Sequence, residues 1–172
     1  LATSLAQYEH QLMLHYSELM RAKLGLTQWE EEDPALFRQL FQLLASQGVD
    51  YHLFLRRLGE VTGKDEWPAS LLALLPDPAL WQGWLELYRV RLTREGSEDA
   101  VRKAQMDAIN PKFVLRNALA QQAIDAAEGG DMTPFERLLA ALQQPYDEQP
   151  EYADLATPVP QWYCGGELSC SS

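Results

Sequence analysis

The sequence predicts an all-α protein, an irregular bundle of about seven or eight helices with an extended C-terminal tail. Three observations lead there. Apolar residues recur at spacings of three and four, a capping residue followed by proline recurs four times, and no segment alternates with a period of two for long enough to form a strand.

Leu5, Tyr8, Leu12, Tyr16 and Leu19 carry the helical spacing through the first segment, which stops at Gly25. Asp33-Pro34 opens the second, with Leu36, Leu40, Leu43 and Leu44 before Gly48. In such a pair the cap oxygen accepts an otherwise unpaired backbone N–H, and proline at the first helical position loses no hydrogen bond. A third segment runs through Leu53, Leu55 and Leu58. Asp77-Pro78 then starts a helix reaching about Arg94 and Gly96, with Trp81, Trp84, Leu85, Tyr88 and Leu92 on one face. That spacing is what core packing produces, so these rings are expected in the core rather than on the floor of a ligand pocket.

Asn110-Pro111 marks a helix start for "NPKFVLRNALAQQAIDAAEGGD", in which Val114, Leu115, Ala118, Leu119, Ala123 and Ile124 lead to Gly129. Thr133-Pro134 opens the last helix, where Glu136 completes a capping box with Thr133. From Pro145 the pattern ends, and prolines, acids and aromatics follow without a period. The expected division is a helical domain over residues 1–144 and an extended tail over 145–172, with Tyr146, Tyr152, Leu155, Trp162 and Tyr163 as anchors. "DPALF" at Asp33 recurs as "DPALW" at Asp77, an echo that shared capping chemistry explains.

A chain of 172 residues is long enough to bury a real core, ~70% of its unfolded surface. With 25 acidic and 14 basic residues the net charge is -11, which repels phosphate backbones and anionic lipid, so neither nucleic acid nor membrane is expected as a partner. No apolar run approaches a membrane span and "LATSLAQYEH" is not a signal peptide. Two cysteines do not make a disulfide framework, which fits a soluble protein of a reducing compartment, the cytoplasm. The chain starts without methionine, inside a helix already under way, which suggests a piece of something longer.

Chemistry-bearing groups are few. His10 and His15 are five apart and do not share a helical face as a zinc-binding pair would, and His52 is isolated, so no metal site is expected. Glu30, Glu31, Glu32 and Asp33 read as a solvated cluster favouring the helix that follows. Neither a phosphate-binding glycine loop nor a nucleophile elbow is present. Arg116 and Asn117 lie beside an apolar face, and an arginine so placed needs a fixed carboxylate or carbonyl, making a structural clamp the first reading. Cys164 and Cys170 are six apart, which allows a local disulfide but is not a CxxC motif.

Taken together, "NPKFVLRNALAQQAIDAAEGGD", "QQPYDEQPEYA" and the terminal "SCSS" resemble the C-terminal part of the selenoprotein O (YdiU-like) family, and "YEHQLMLHYSELMRAKLGL" is similar to that family's helix after its catalytic part. The resemblance spans nearly the whole chain and implies a bacterial, cysteine-containing type of pseudokinase-like protein adenylyltransferase. Such a protein uses ATP with Mg²⁺ or Mn²⁺ to transfer AMP to Ser, Thr or Tyr of protein substrates. By the same resemblance, the nucleotide-binding lysine, acidic metal ligands and catalytic aspartate lie upstream of Leu1. This segment is then expected to hold no catalytic residue and no cofactor, and to have the upstream kinase-like part as its partner. Some members carry selenocysteine third from the end, where Cys170 stands, preceded by a cysteine where this chain has Ser169. The resemblance thus implies a redox-regulatory role for Cys170. Two other readings stay open, a self-sufficient acidic helical interaction module and a thiol redox protein using Cys164 and Cys170.

Overall fold

In a computed structural model, residues 2–63 and 66–158 are described, and every regular element among them is helical. The α-helices are α1 (Ala2–Lys23), α2 (Asp33–Gln47), α3 (Tyr51–Leu58), α4 (Ala69–Leu72), α5 (Pro78–Glu95), α6 (Asp99–Asp107), α7 (Asn117–Glu128) and α8 (Thr133–Gln143), followed by a 3-10 helix, Pro150–Leu155. The all-α prediction holds. The chain divides into two compact units between Ile109 and Asn110.

In the first unit, α2 packs on α5 around the predicted aromatic stripe. Trp81, Trp84, Leu85, Tyr88 and Leu92 are all buried, joined by Phe54, Leu55 and Leu58 of α3. The Trp84 and Tyr88 rings stack at 5.4 Å, and Phe54 lies 4.7 Å from Trp81. Two polar tips of this stripe find backbone acceptors, as burial requires. Trp84 Nε1 donates to the Leu36 carbonyl (2.9 Å), and the Tyr88 hydroxyl donates to the Leu24 carbonyl (2.8 Å) just past α1.

That end of α1 turns through Gly25 at φ +68, with Gly25 N–H bonded to the Ala22 carbonyl and Leu26 N–H to the Arg21 carbonyl, both at 3.0 Å. A Cβ on Gly25 would sit 2.5 Å from Arg102 Cγ and 2.7 Å from Met106 Sδ. Both side chains are buried and cannot swing away. By contrast α1 is little buried from Gln7 to Leu19, and Tyr8, Leu12, Tyr16 and Leu19 of its predicted stripe are exposed, while the side chain of Leu5 lies outside the described ones.

The second unit has a smaller centre. α7 packs on α8, and Phe113, Ala141 and Ala156 form a cluster flanked by Leu142, Tyr152 and Leu155. Residues 145–156, expected in the tail, belong to this unit. The Pro145 carbonyl accepts from the N–H groups of Lys112 (2.8 Å) and Phe113 (3.1 Å). Gln149 Nε2 donates to the Ala141 and Gln144 carbonyls at the end of α8, and Arg137 holds Asp154 at 2.9 Å. Of the anchors expected there, Tyr152 and Leu155 pack against this cluster, while the side-chain caps from Gln149 and Arg137 carry no periodic signal in the sequence. The rest of the expected tail, residues 159–172, lies outside the described residues.

Three of the helix signals need correction, the first being Asp33, which is the first residue of α2 and whose side chain caps no N–H of that helix but accepts the Glu30 N–H instead. Asn110-Pro111 starts no helix: the chain stays irregular to Arg116 (φ -104, ψ 143), because Phe113 drops into the core and its N–H pairs with Pro145. α7 therefore begins at Asn117, leaving Leu115 exposed. At α8, Thr133 lies inside the helix and forms no capping box with Glu136. Asp131 Oδ1 takes the Thr133 N–H instead (2.9 Å), and hydrogen bonds from the Thr133 hydroxyl and N–H hold the Asp131 carboxyl below its ordinary range. Gly129 follows the last residue of α7 as its position in the sequence suggests, and the left-handed residue there is Gly130 (φ +88). Asp77 does cap α5, accepting from Ala79 N–H at 3.1 Å.

Gly25→Ala combines a left-handed backbone with a packed neighbour and should destabilise the protein by about 2–4 kcal/mol. Gly48→Ala, at φ +62 with nothing within 4 Å, should cost about 1–2 kcal/mol. Urea denaturation of the two variants checks the difference, and equal losses would mean that the contact with Arg102 and Met106 carries no weight.

Candidate functional site

The densest polar constellation in the first unit surrounds Arg91, whose side chain is 2% exposed. It lies three residues after Tyr88 and seven after Trp84, on the buried stripe of α5. Its guanidinium is consequently withdrawn from water and needs acceptors on every side. Nε donates to Asp33 Oδ1 (2.9 Å), Nη2 to Asp33 Oδ2 (3.3 Å) and to the Gln28 carbonyl (2.8 Å), and Nη1 to Glu95 Oε2 (2.6 Å). Glu30 Oε1 approaches Nη1 to 3.2 Å, while Glu30 Oε2 pairs with Arg94 at 2.9 Å.

The carboxylates are bound from their far sides too. Glu95 Oε1 accepts the Thr27 N–H (2.7 Å), the Thr27 hydroxyl and the Gln28 N–H (3.2 Å), and Asp33 Oδ2 accepts the Glu30 N–H (2.8 Å). Burial alone would lower the Arg91 guanidinium and raise the Glu95 carboxyl. Hydrogen bonds and opposite charge outweigh it, so Arg91 is held above and Glu95 below its ordinary value. A pocket of about 190 Å³ opens beside the cluster, lined by Asp33, Leu36, Gln39, Leu87, Arg91 and Arg94.

This arrangement fastens the loop between α1 and α2 to the C-terminal end of α5. It supplies no general base, because Asp33, Glu95 and Glu30 each face a guanidinium. Nor does it fit the Mg²⁺ or Mn²⁺ that the resemblance implies: a divalent cation would need these carboxylate oxygens, and arginines occupy them. Among the described residues, no group of three or more His, Cys, Asp or Glu side chains is placed to hold a metal ion.

The acidic run is therefore not the solvated cluster expected of it. Asp33 is fully buried and Glu30 partly so, because Arg91 and Arg94 draw them inward, while Glu31 and Glu32 stay exposed. Two further arginines are buried in the first unit. Arg56 donates to the Asp107 carbonyl (2.8 Å) and lies 3.3 Å from its carboxylate, and Arg102 pairs with Asp99 (2.7 Å) and donates to the Val61 carbonyl. Sequence reasoning missed all three. The usable signal was an arginine on an apolar helical stripe, as at Tyr88 and Arg91.

Arg116 and Asn117, paired in the sequence, part in the structure. Arg116 is buried in the second unit, donating from Nη1 to the Val114 carbonyl (3.3 Å), and Asn117 is exposed at the first position of α7. His10 and His15 are exposed on α1, His15 lying 3.5 Å from Glu18, and the ring of His52 meets that of Tyr51 edge-on at 5.1 Å. Cys164 and Cys170 lie outside the described residues. No described helix is long and apolar enough to cross a membrane.

Arg91→Met leaves Asp33 and Glu95 buried without a counter-charge and should cost about 3–5 kcal/mol in urea denaturation. A loss below 1 kcal/mol would show that water reaches the cluster. Since Glu95 is held below the ordinary 4.5, its contribution is present above that pH and fades as pH falls toward its folded value. Glu95→Gln should accordingly flatten the loss of stability below pH 4.5, measured as urea midpoint against pH, and an unchanged slope would remove Glu95 from the linkage.

Residues 1–143 match the family model described as protein adenylyltransferase SelO. The whole chain is 96% identical to the protein nucleotidyltransferase YdiU of Aeromonas salmonicida and 80% identical to that of Aeromonas hydrophila, covering 36% of each. It is 45% identical over 163 residues to the YdiU of Pseudomonas fluorescens strain Pf-5, covering 92% of this chain and 32% of the relative. The chain thus spans about a third of the length of the curated relatives it matches. On this evidence it belongs to the SelO/YdiU family of protein nucleotidyltransferases.

Proposed function

We propose that these residues form the C-terminal helical part of a pseudokinase-like protein adenylyltransferase, supporting a catalytic part that lies ahead of Leu1. The observation that carries this reading is a family match over residues 1–143 in a chain only 36% as long as a relative 96% identical to it. In the reaction, a Ser, Thr or Tyr hydroxyl oxygen of a protein substrate attacks the α-phosphorus of ATP. A new P–O bond forms, the α–β bridging bond breaks, pyrophosphate leaves, and the hydroxyl proton passes to a base. Nucleotide, divalent cation and base are assigned to the upstream part. The clustered carboxylates described here are committed to arginines, which is consistent with a supporting role.

Within this segment, Arg116 serves as a structural clamp at the start of α7, and Cys170 is the redox-regulatory group. The acidic interaction module gains no specific support, because a relative covered over only a third of its length points to a larger working unit.

The test is incorporation of radiolabel from α-labelled ATP into protein, by the full-length chain and by residues 1–172 alone. Transfer is expected from the first and none from the second. Transfer by the 172 residues alone, or none by the full-length chain, would overturn the reading. In the full-length chain, Cys170→Ser should abolish any difference in activity between reduced and oxidised protein, and an undiminished difference would remove Cys170 from regulation.

A further inference from the structure

From Gln7 to Leu19, every residue of α1 is exposed apart from the half-buried Ser17. Helices in proteins are held mainly by packing of one face, and an isolated helix of this length is marginal in water. Among its described side chains α1 enters the core only at Met20, and Leu24 follows just past its end. Yet Tyr8, Leu12, Tyr16 and Leu19 follow at spacings of four, four and three, so they share a face, and they are 63%, 51%, 44% and 50% exposed. Beside them Met13 and Tyr16 form one wall of a groove of about 240 Å³, whose other side is Trp29, Phe37 and Phe41. Arg38 supplies its one charge. A stripe continuous with an aromatic groove has the composition of an interface core, rich in Tyr, Trp, Phe and Met and poor in charge. Scattered surface leucines would need no such account.

We propose that this face of α1, with the groove beside it, is the docking surface for the part of the chain that precedes Leu1. The inference rests on the reading above that places the catalytic part there. Two arguments choose this occupant. The relatives have nearly two thirds of their length outside the matched segment, at 36% coverage, so a large partner surface exists within one polypeptide. That surface would be joined to α1 itself, and tethering sets an effective concentration of order mM, well above what a second copy reaches in dilute solution.

The experiment is photo-crosslinking in the full-length chain, with p-benzoylphenylalanine in place of Tyr16 and, as a control, in place of the exposed Glu18. Glu18 lies about 160° around the helix from Tyr16. The Tyr16 position should crosslink within one chain to peptides preceding Leu1, with yield from Glu18 falling to background. Crosslinks from Tyr16 to peptides of residues 110–172, a product of twice the chain mass, or equal background yields at both sites would each overturn the proposal. Should the Tyr16 variant fail to fold, the same substitution at Tyr8 asks the same question with the same outcomes. Because the readout is a peptide map, failure here is distinguishable from absence of AMP transfer, which would sink the functional reading instead.

Discussion

Asp33, Glu95 and Arg91 are three charges with almost no access to water, and the first unit depends on their mutual satisfaction. Moving such groups out of water costs several kcal/mol each, which attraction offsets only when geometry and further hydrogen bonds are good. Here they are: the guanidinium reaches two carboxylates and a carbonyl, and both carboxylates also take backbone N–H groups from the loop 27–30. The loop that follows α1 is thereby set against α5, which places Trp84 under the Leu36 carbonyl and Tyr88 under the Leu24 carbonyl. The aromatic core and the ionic knot are one construction, with α5 contributing to both.

Much of this fold was legible because helix punctuation is local. Gly25, Gly48 and Gly96 all turn left-handed where the periodicity stops, and Asp77 caps α5 as its neighbours suggest. What local sequence could not convey is where a side chain goes once helices meet. "DPALF" and "DPALW" are nearly identical, yet Asp77 caps its helix while Asp33 turns to Arg91, fifty-eight residues away. Asn110-Pro111 fails for a related reason, since a long-range pairing of Lys112 and Phe113 with Pro145 outcompetes a helix start.

The candidate site was less legible than the fold. The rule that an arginine on an apolar stripe requires a fixed partner was applied to Arg116 alone, which is buried. Applied along the whole chain, the rule reaches Arg91, Arg56 and Arg102 as well; Glu95 and Asp99 lie within one helical turn of Arg91 and Arg102, but the other acceptors are 41 to 63 residues distant and carry no local signature. Family membership rests on a different kind of information, the resemblance of segments such as "NPKFVLRNALAQQAIDAAEGGD" and the match over residues 1–143 that bears it out, which no periodicity or spacing within the chain contains.

The three buried arginines of the first unit share one further feature that explains why this acidic chain invests them in its interior. Arg91 takes the Gln28 carbonyl in the loop after α1, Arg102 takes Val61 just past α3, and Arg56 takes Asp107 at the end of α6. Each therefore satisfies a carbonyl at or beyond a helix C-terminus, where acceptors lack intrahelical partners and the local field favours a cation. Lysine could supply the charge but not the planar fork that binds a carbonyl and a carboxylate together. Among the described residues, where helices are joined by loops and no sheet absorbs orphan carbonyls, such forks let the helix ends pack inside rather than remain at the surface.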